Sequence, residues 1–383
     1  MRRGTKIQKL KQVLPGIVKD VRHYAKPRVK LHNEGLGDYY TEGYRSLNQR
    51  EWKGVRDTAY DFASWLKVYG YMAVTLGKHP VALTKSFVRY PWMASYLTVA
   101  NMLDRHKLGL RGKQLRYTQE QFYGVVHNSV DVIAKIIERD ENLNSPNNKR
   151  AAKLRAKTVM FDEMTPSIIM AGFPMLDWID IAMSPVCLPG EVDQNANIMY
   201  VDAAERMGLA ADVCPLPSAE VGCAIVDDYP QVGSSFITSS MPCDGSLGAA
   251  LFMDRYMKKL PSFTLTPPQR FNEPETNAYA VKDLKNCIRF IEETYDVKWD
   301  WDAFWKKAEE YNKTTQCMLD KWDVNCTPYP QVIGSALSLQ REYEFQTAAC
   351  LDSFMTKQDE KVTKMMLKGY EEDREADRRD YKY

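Results

Sequence analysis

Cysteine is sparse in this chain. Eight thiols in 383 residues are too few and too scattered for the disulfide scaffold of a small secreted domain. No two of them form a Cys-x-x-Cys pair and no histidine follows His127, which sets aside a structural zinc knuckle. Gly-x-Ser-x-Gly is missing, and the five histidines show no pattern, so a Ser-His-Asp hydrolase has little support. Neither a Gly-x-x-x-x-Gly-Lys loop nor a Gly-x-Gly-x-x-Gly turn occurs, which argues against an ATPase or a nicotinamide dehydrogenase. No stretch nears the length of apolar chain that spans a bilayer, so no membrane span is expected. The first thirty residues have no apolar stretch of the secretory kind. A formal net charge of +2 gives no global nucleic-acid footprint, and no nucleic-acid partner is expected. Unpaired thiols and the lack of a leader together point to a reducing, cytoplasmic location.

What is present is ordinary globular material, 44% apolar and 27% charged, in a chain long enough for two or more domains. Residues 1–30 hold ten Lys or Arg against one acid, Asp20. A solvated basic tail is the reading preferred over a docking site for an anionic partner. Residues 1–150 read as a helical N-terminal region, with apolar spacings of three and four over Tyr60–Tyr71, Met93–Leu103 and Gln119–Arg139. Glu141–Arg150 is a polar linker. In residues 151–275 the pattern changes. Thr158–Phe161, Phe236–Ser239 and Ser262–Leu265 are strand candidates, and a helix is expected over Ser246–Lys259. Strand, loop and helix alternating in this way predict a flavodoxin-like, doubly wound parallel sheet. Residues 276–383 read as a helical segment. Asp300 or Asp302 is its candidate N-cap, and Phe304, Ala308, Tyr311, Met318, Leu319 and Trp322 form an apolar stripe. A second helix is expected over Val332–Phe354, with an exposed helix or connector from Lys357 onward.

The residues that carry chemistry lie between Pro185 and Lys259. Cys214 stands in Asp212-Val-Cys214-Pro and Cys243 in Ser240-Met-Pro242-Cys243-Asp244, both where a regular element gives way to a loop. Ligands of doubly wound sheets bind at the carboxyl ends of strands, and Cys243 follows such an end. The order Leu188-Pro-Gly-Glu191, Asp202-Ala-Ala-Glu205-Arg-Met-Gly208, Asp212-Val-Cys214 and Ser240-Met-Pro-Cys243-Asp244 resembles the 2-hydroxyacyl-CoA dehydratase family, which includes the benzoyl-CoA reductase subunits. Asp302-Ala-Phe304 with Asn312 resembles that family's later helical segment. The likeness covers roughly residues 155–350, is densest over 185–260, and does not extend to residues 1–110.

The resemblance implies an iron–sulfur subunit. Such a subunit carries a 4Fe–4S cluster on three cysteine thiolates and removes water from a 2-hydroxyacyl-CoA through a thioester radical, using one low-potential electron. It implies an acyl-CoA substrate, a homologous second subunit and an ATP-dependent activator protein as electron donor. Cys214 and Cys243 would be two of the cluster ligands, and residues 151–275 the cluster-binding domain. The chain departs from the family in two places. The family's third cysteine lies far downstream, in a second α/β domain expected either to follow Tyr383 or to be missing. Cys187, on the loop before Pro189-Gly-Glu191, is the local substitute, and Cys350 is less suited because it sits on a helix. Where the family has Pro-x-Glu, this chain reads Pro166-Ser167-Ile168. Two alternatives stay open: a benzoyl-CoA reductase-type subunit acting on an aromatic acyl-CoA, and a non-catalytic partner subunit. Cys223, Cys287, Cys317 and Cys350 fall in apolar or helical patterns and read as packing residues, with Cys326 a loop thiol. Asp244 reads as a helix cap. Glu191 is open between orienting a substrate and bonding its own loop, and Ser239 and Ser240 between serving cluster sulfur and ending the strand.

Overall fold

The computed structural model describes residues 55–103, 112–162, 165–193, 195–212, 214–240, 260–268, 273–350 and 353–377, with Lys11, Leu14 and Gly245. The basic stretch 1–30 otherwise lies outside these residues, as do Cys243, Asp244 and the helix expected over Ser246–Lys259. In chain order come α1 (Val55–Leu76), α2 (Pro80–Arg89), a 3-10 helix (Pro91–Leu103), α3 (Gly112–Arg139) and α4 (Lys149–Arg155). Then follow β1 (Thr158–Phe161), a 3-10 turn (Ser167–Gly172), β2 (Asp177–Asp180), a π turn (Met183–Cys187) and α5 (Leu188–Val192). Next are α6 (Ile198–Arg206), α7 (Pro215–Ile225), β3 (Ser235–Ser239) and β4 (Ser262–Leu265). Last come α8 (Pro274–Tyr295), α9 (Trp301–Asn325), α10 (Ser335–Cys350) and α11 (Ser353–Glu375).

Two compact units share these elements. The first comprises Thr75–Tyr96 and Ser129–Ala308, and the second Lys11–Val74, Leu97–Asn128 and Glu309–Tyr383. The first holds a four-stranded, wholly parallel sheet in the order β2-β1-β3-β4. Every residue of β1 and β3 is buried, as strands covered on both faces require, while β4 is exposed at its start. Val159, Phe161, Ile237 and Leu265 pack with Ile169, Met170 and Phe173, and with Cys287 and Ile291 of α8. Burial of each large side chain here stabilises the unit by about 1.5–3 kcal/mol. Gly172 is required by close approach: a Cβ there would sit 2.5 Å from the Trp299 ring. The polar linker serves as a cap, since Asn148 Oδ1 accepts the Ala151 N–H at 3.1 Å and starts α4.

The second unit is helical and its interior is unusually polar. An apolar cluster of Leu115, Tyr117, Val332, Ala336, Val362 and Met366 is flanked by buried charge. Lys321 Nζ lies 2.5 Å from Asp359 and 3.6 Å from Glu344, all nearly inaccessible to solvent. Lys113 pairs with Asp373 at 3.3 Å. Burial alone would raise the Glu120 carboxyl, but Lys361, Gln358 and Lys67 outweigh it and hold it at about 2.

Several expectations change against this structure. Met93–Leu103 is a 3-10 helix, because Trp92 to Tyr96 are buried on successive positions and no single apolar face exists to favour α winding. The strand Asp177–Asp180 was not legible, since acids at both ends hide its two apolar residues. Asp300, not Asp302, caps α9, its Oδ1 accepting the Ala303 N–H at 3.0 Å. Leu319 leaves the expected stripe and is exposed. The span Val332–Phe354 divides into α10 and the first turn of α11. The C-terminal charged segment is not simply exposed: Met355, Asp359, Val362 and Met366 of α11 are buried at helical spacing, and the buried acid is neutralised by Lys321.

Candidate functional site

The sheet positions a set of polar groups at the carboxyl ends of its strands. β2 and β3 flank β1 on opposite sides, so chain direction across the sheet reverses at β1 and β3. Asp162, directly after β1, binds these two strand ends together. Its N–H donates to Ile237 O at 3.2 Å, one carboxylate oxygen accepts the Thr165 hydroxyl at 2.8 Å, and the other accepts the Ser239 N–H at 3.2 Å. Ser240, leaving β3, donates its N–H to Leu265 O at 2.8 Å. Asp180 ends β2, and Glu220 on α7 accepts the Tyr229 hydroxyl at 2.7 Å. The Tyr229 hydroxyl is pushed well above its ordinary value by burial and by the charges of Glu220, Asp162 and Asp180. Three acids therefore act on one buried phenol at this edge.

The turns that follow β2 are held by buried donors. Tyr96 donates its hydroxyl to Ser184 O at 3.1 Å, and Asn197 its amide to Val186 O at 3.0 Å. Both carbonyls belong to the π turn that ends at Cys187, a geometry frequent at functional sites. Burial raises the Tyr96 hydroxyl, and Cys187 and Glu191 add to the rise.

Cys214 occupies the N-cap of α7, with Pro215 at the first helical position. Its carbonyl accepts both the Ser218 hydroxyl at 3.0 Å and the Ser218 N–H at 3.4 Å, which fixes the first turn. The body of α7 lies against α6 backbone to backbone: a Cβ on Gly222 would stand 1.7 Å from Tyr200 O. At its far end Asp227 adopts the left-handed conformation, with φ of 59°, and the Asp228 N–H returns to Cys223 O at 2.9 Å. Arg89 closes that end by pairing with Asp228 at 3.2 Å, and the Trp92 indole donates to Asp228 O at 3.1 Å.

Of the thiols expected to bind a cofactor, Cys214 is exposed and Cys187 is buried. Cys187 packs with Ala182 and Leu216, and Leu216 lies two residues beyond Cys214, so the two thiol-bearing turns adjoin. Cys243 lies outside the described residues. Among the described residues no three His, Cys, Asp or Glu side chains gather as a metal site. Cys223 and Cys287 are buried, and burial pushes the Cys287 thiol up to about 12. Cys317 is half-buried and Cys326 exposed. Asp162, Asp180, Glu220, Tyr229 and Tyr96 escaped sequence reasoning. Only Asp162 carried a signal, as an acid directly after an apolar strand.

The wholly parallel sheet with helices around it makes this unit an α/β fold. Residues 192–372 match the model of the family described as 2-hydroxyglutaryl-CoA dehydratase, D-component. The matched segment is just under half of the chain and includes Cys214 and Cys243, in support of the resemblance seen around them. No curated protein matches the chain. Among the described residues no helix is long and apolar enough to cross a membrane.

Proposed function

We propose that the chain is the iron–sulfur component of a 2-hydroxyacyl-CoA dehydratase-like enzyme. The observation that carries this reading is the family match across Cys214 and Cys243, joined to the packing of the Cys187 turn beside the start of α7. The donor chemistry fits a 4Fe–4S cluster: soft thiolates suit iron, and Cys214 is both exposed and at a helix start. Cys214, Cys243 and Cys187 would hold it. When bound, such a cluster supplies a Lewis-acidic iron and a one-electron path.

The chain's own residues do the rest. Tyr96 and Asn197 hold the turn that presents Cys187, Ser218 holds the turn that presents Cys214, and Asp162 keeps the strand ends before Cys243 in register. In the overall reaction a C2–OH and a C3–H bond break, a C2=C3 bond forms, and water leaves. The electron that starts the reaction is returned at its end. An acyl-CoA substrate, a homologous second subunit, an ATP-dependent activator and a cytoplasmic setting complete the reading. The strand order β2-β1-β3-β4 supports the flavodoxin-like winding on which it rests.

Anaerobic reconstitution with iron and sulfide, followed by metal analysis, is the test. Wild-type chain is expected to retain iron, and Cys214→Ser and Cys243→Ser to lose it; a wild-type chain that takes up none sinks the cluster assignment. Assays with 2-hydroxyacyl-CoA and benzoyl-CoA under a low-potential donor separate dehydratase from the benzoyl-CoA reductase type. A second reading, a non-catalytic partner subunit, is favoured by Pro166-Ser167-Ile168 standing where the family has Pro-x-Glu.

A further inference from the structure

One face of α1 is exposed and apolar along its length. Between residues 59 and 74 the exposed positions are Ala59, Phe62, Ala63, Leu66, Lys67, Gly70, Ala73 and Val74. The single charge among them, Lys67, falls at the edge of the face by helical spacing. It turns onto Glu120 at 3.0 Å, with its ammonium over the Tyr123 ring. Phe62, Leu66 and Val74 are 44%, 49% and 69% exposed, and a Cβ on Gly70 would meet nothing within 4 Å. The opposite face is packed through Asp61, Val68 and Met72. A solvated helix face normally carries charge. Exposed apolar side chains elsewhere do stand among charges: Val81 near Lys85, Val281 and Leu284 beside Lys282 and Lys285, Trp301 and Trp305 beside Asp302 and Lys306.

The pattern of this face describes what covers it. Ala59, Ala63, Leu66, Gly70 and Ala73 follow one another at steps of four and three, the repeat of a helix that pairs along a seam. Most of them are small, so a second helix can approach to about 8 Å between axes. That helix must be as free of charge as the seam, because an ion brought there would be buried without a partner. The same face of another copy meets this condition and also matches it in shape. Consider an antiparallel pair with its two-fold axis level with residue 68. Each Leu66 then lies opposite Gly70 of the other copy and each Ala63 opposite Ala73, so the leucine fills the space that the glycine leaves open. We propose that α1 is the contact between two copies of this chain, paired antiparallel along this seam. A seam of about 20 Å falls short of a standard interface, so the dimer is a weak one, in the micromolar range. The face lies outside residues 192–372, and the pairing does not depend on the function proposed above.

Sedimentation velocity of the full chain over about 1 to 300 μM is the test. Wild type is expected to pass from monomer toward dimer as concentration rises. Leu66→Glu, at a half-exposed position, should weaken association by at least about tenfold, since each dimer would bury two unpaired carboxylates. Leu319→Glu, at an exposed apolar position on α9, should associate as wild type. Oxidative cross-linking reads the register, with peptide mapping to separate new bonds from those of the native thiols. A mixture of Leu66→Cys and Gly70→Cys chains should yield a bond between positions 66 and 70, and Leu66→Cys by itself none between its two copies. A bond between two copies of position 66 overturns the antiparallel pairing. A dimer that Leu66→Glu leaves intact overturns the seam. A wild type that stays monomeric throughout overturns the proposal; if that monomer binds phosphatidylcholine vesicles, lipid is the occupant instead.

Discussion

Lys321→Met tests whether the polar interior of the helical unit is a set of matched charges. Lys321 is fully buried, 2.5 Å from Asp359 and 3.6 Å from Glu344. Glu344 has other donors, the Trp322 indole at 2.9 Å and the Gln340 amide at 3.0 Å. Asp359 has one oxygen on Lys321 and the other unpartnered. With all three ionised the group carries one excess negative charge, and burial raises the Asp359 carboxyl above its ordinary value despite the nearby ammonium. Methionine at 321 fills a similar volume but leaves two carboxylates in a dry interior. Removing one partner of a buried pair costs about 3–5 kcal/mol. Urea denaturation followed by circular dichroism reads this as a lowered midpoint, against Lys364→Met, whose side chain is 78% exposed. A loss no larger than that of the exposed control would refute the reasoning. Asp359→Asn adds a sign. A carboxyl whose folded value is raised contributes stability at low pH and loses it as pH rises through that value. The amide cannot ionise, so the variant should gain on wild type as pH rises from the ordinary carboxylate range toward neutrality. A gain that instead grows on acidification would contradict the assignment.

Three further outcomes are expected. Gly222→Ala places a Cβ 1.7 Å from Tyr200 O and should cost about 1–3 kcal/mol in denaturant titration, while Gly70→Ala, in open space on α1, should stabilise by about 0.5–1 kcal/mol. Equal effects would deny the close approach of α6 and α7. Glu120, held at about 2 against an ordinary 4.5, contributes stability above the ordinary value that is lost as pH falls through the folded one. Glu120→Gln should therefore flatten the acid limb of a stability–pH curve; an unchanged limb argues against the pairing of Glu120 with Lys67 and Lys361. Tyr229→Phe removes a 2.7 Å bond and leaves buried Glu220 short of a donor, a loss of about 1–3 kcal/mol visible in the thermal midpoint.

Much of the sheet was legible because three of its strands are short runs of apolar and β-branched residues bounded by turn-forming residues. Thr158–Phe161, Phe236–Ser239 and Ser262–Leu265 could be placed from composition alone, and the observed strands agree to within a residue. Asp177–Asp180 could not, because its acids serve as a partner for Lys135 and as a strand end, roles that only tertiary contacts reveal. The motif around Cys214 and Cys243 was readable as an ordered set of small, turn-forming and thiol residues, and the family match follows it. Tyr96 and Asn197 were not, since they lie far from Cys187 along the chain or outside any motif and act only through backbone carbonyls. The C-terminal helix was misjudged because buried Asp359 looks like surface charge until Lys321 is placed beside it.

The two ends of α7 differ in kind. Its far end is clamped by Arg89, Trp92 and the backbone contact at Gly222, while Cys214, the N-cap before its first residue, is exposed. Amide hydrogens should thus exchange slowly toward Val226 and quickly near Pro215, even though the helix is a single rigid rod. Its eleven residues make a splint of about 16 Å, driven into the protein at one end and offering a thiol at the other.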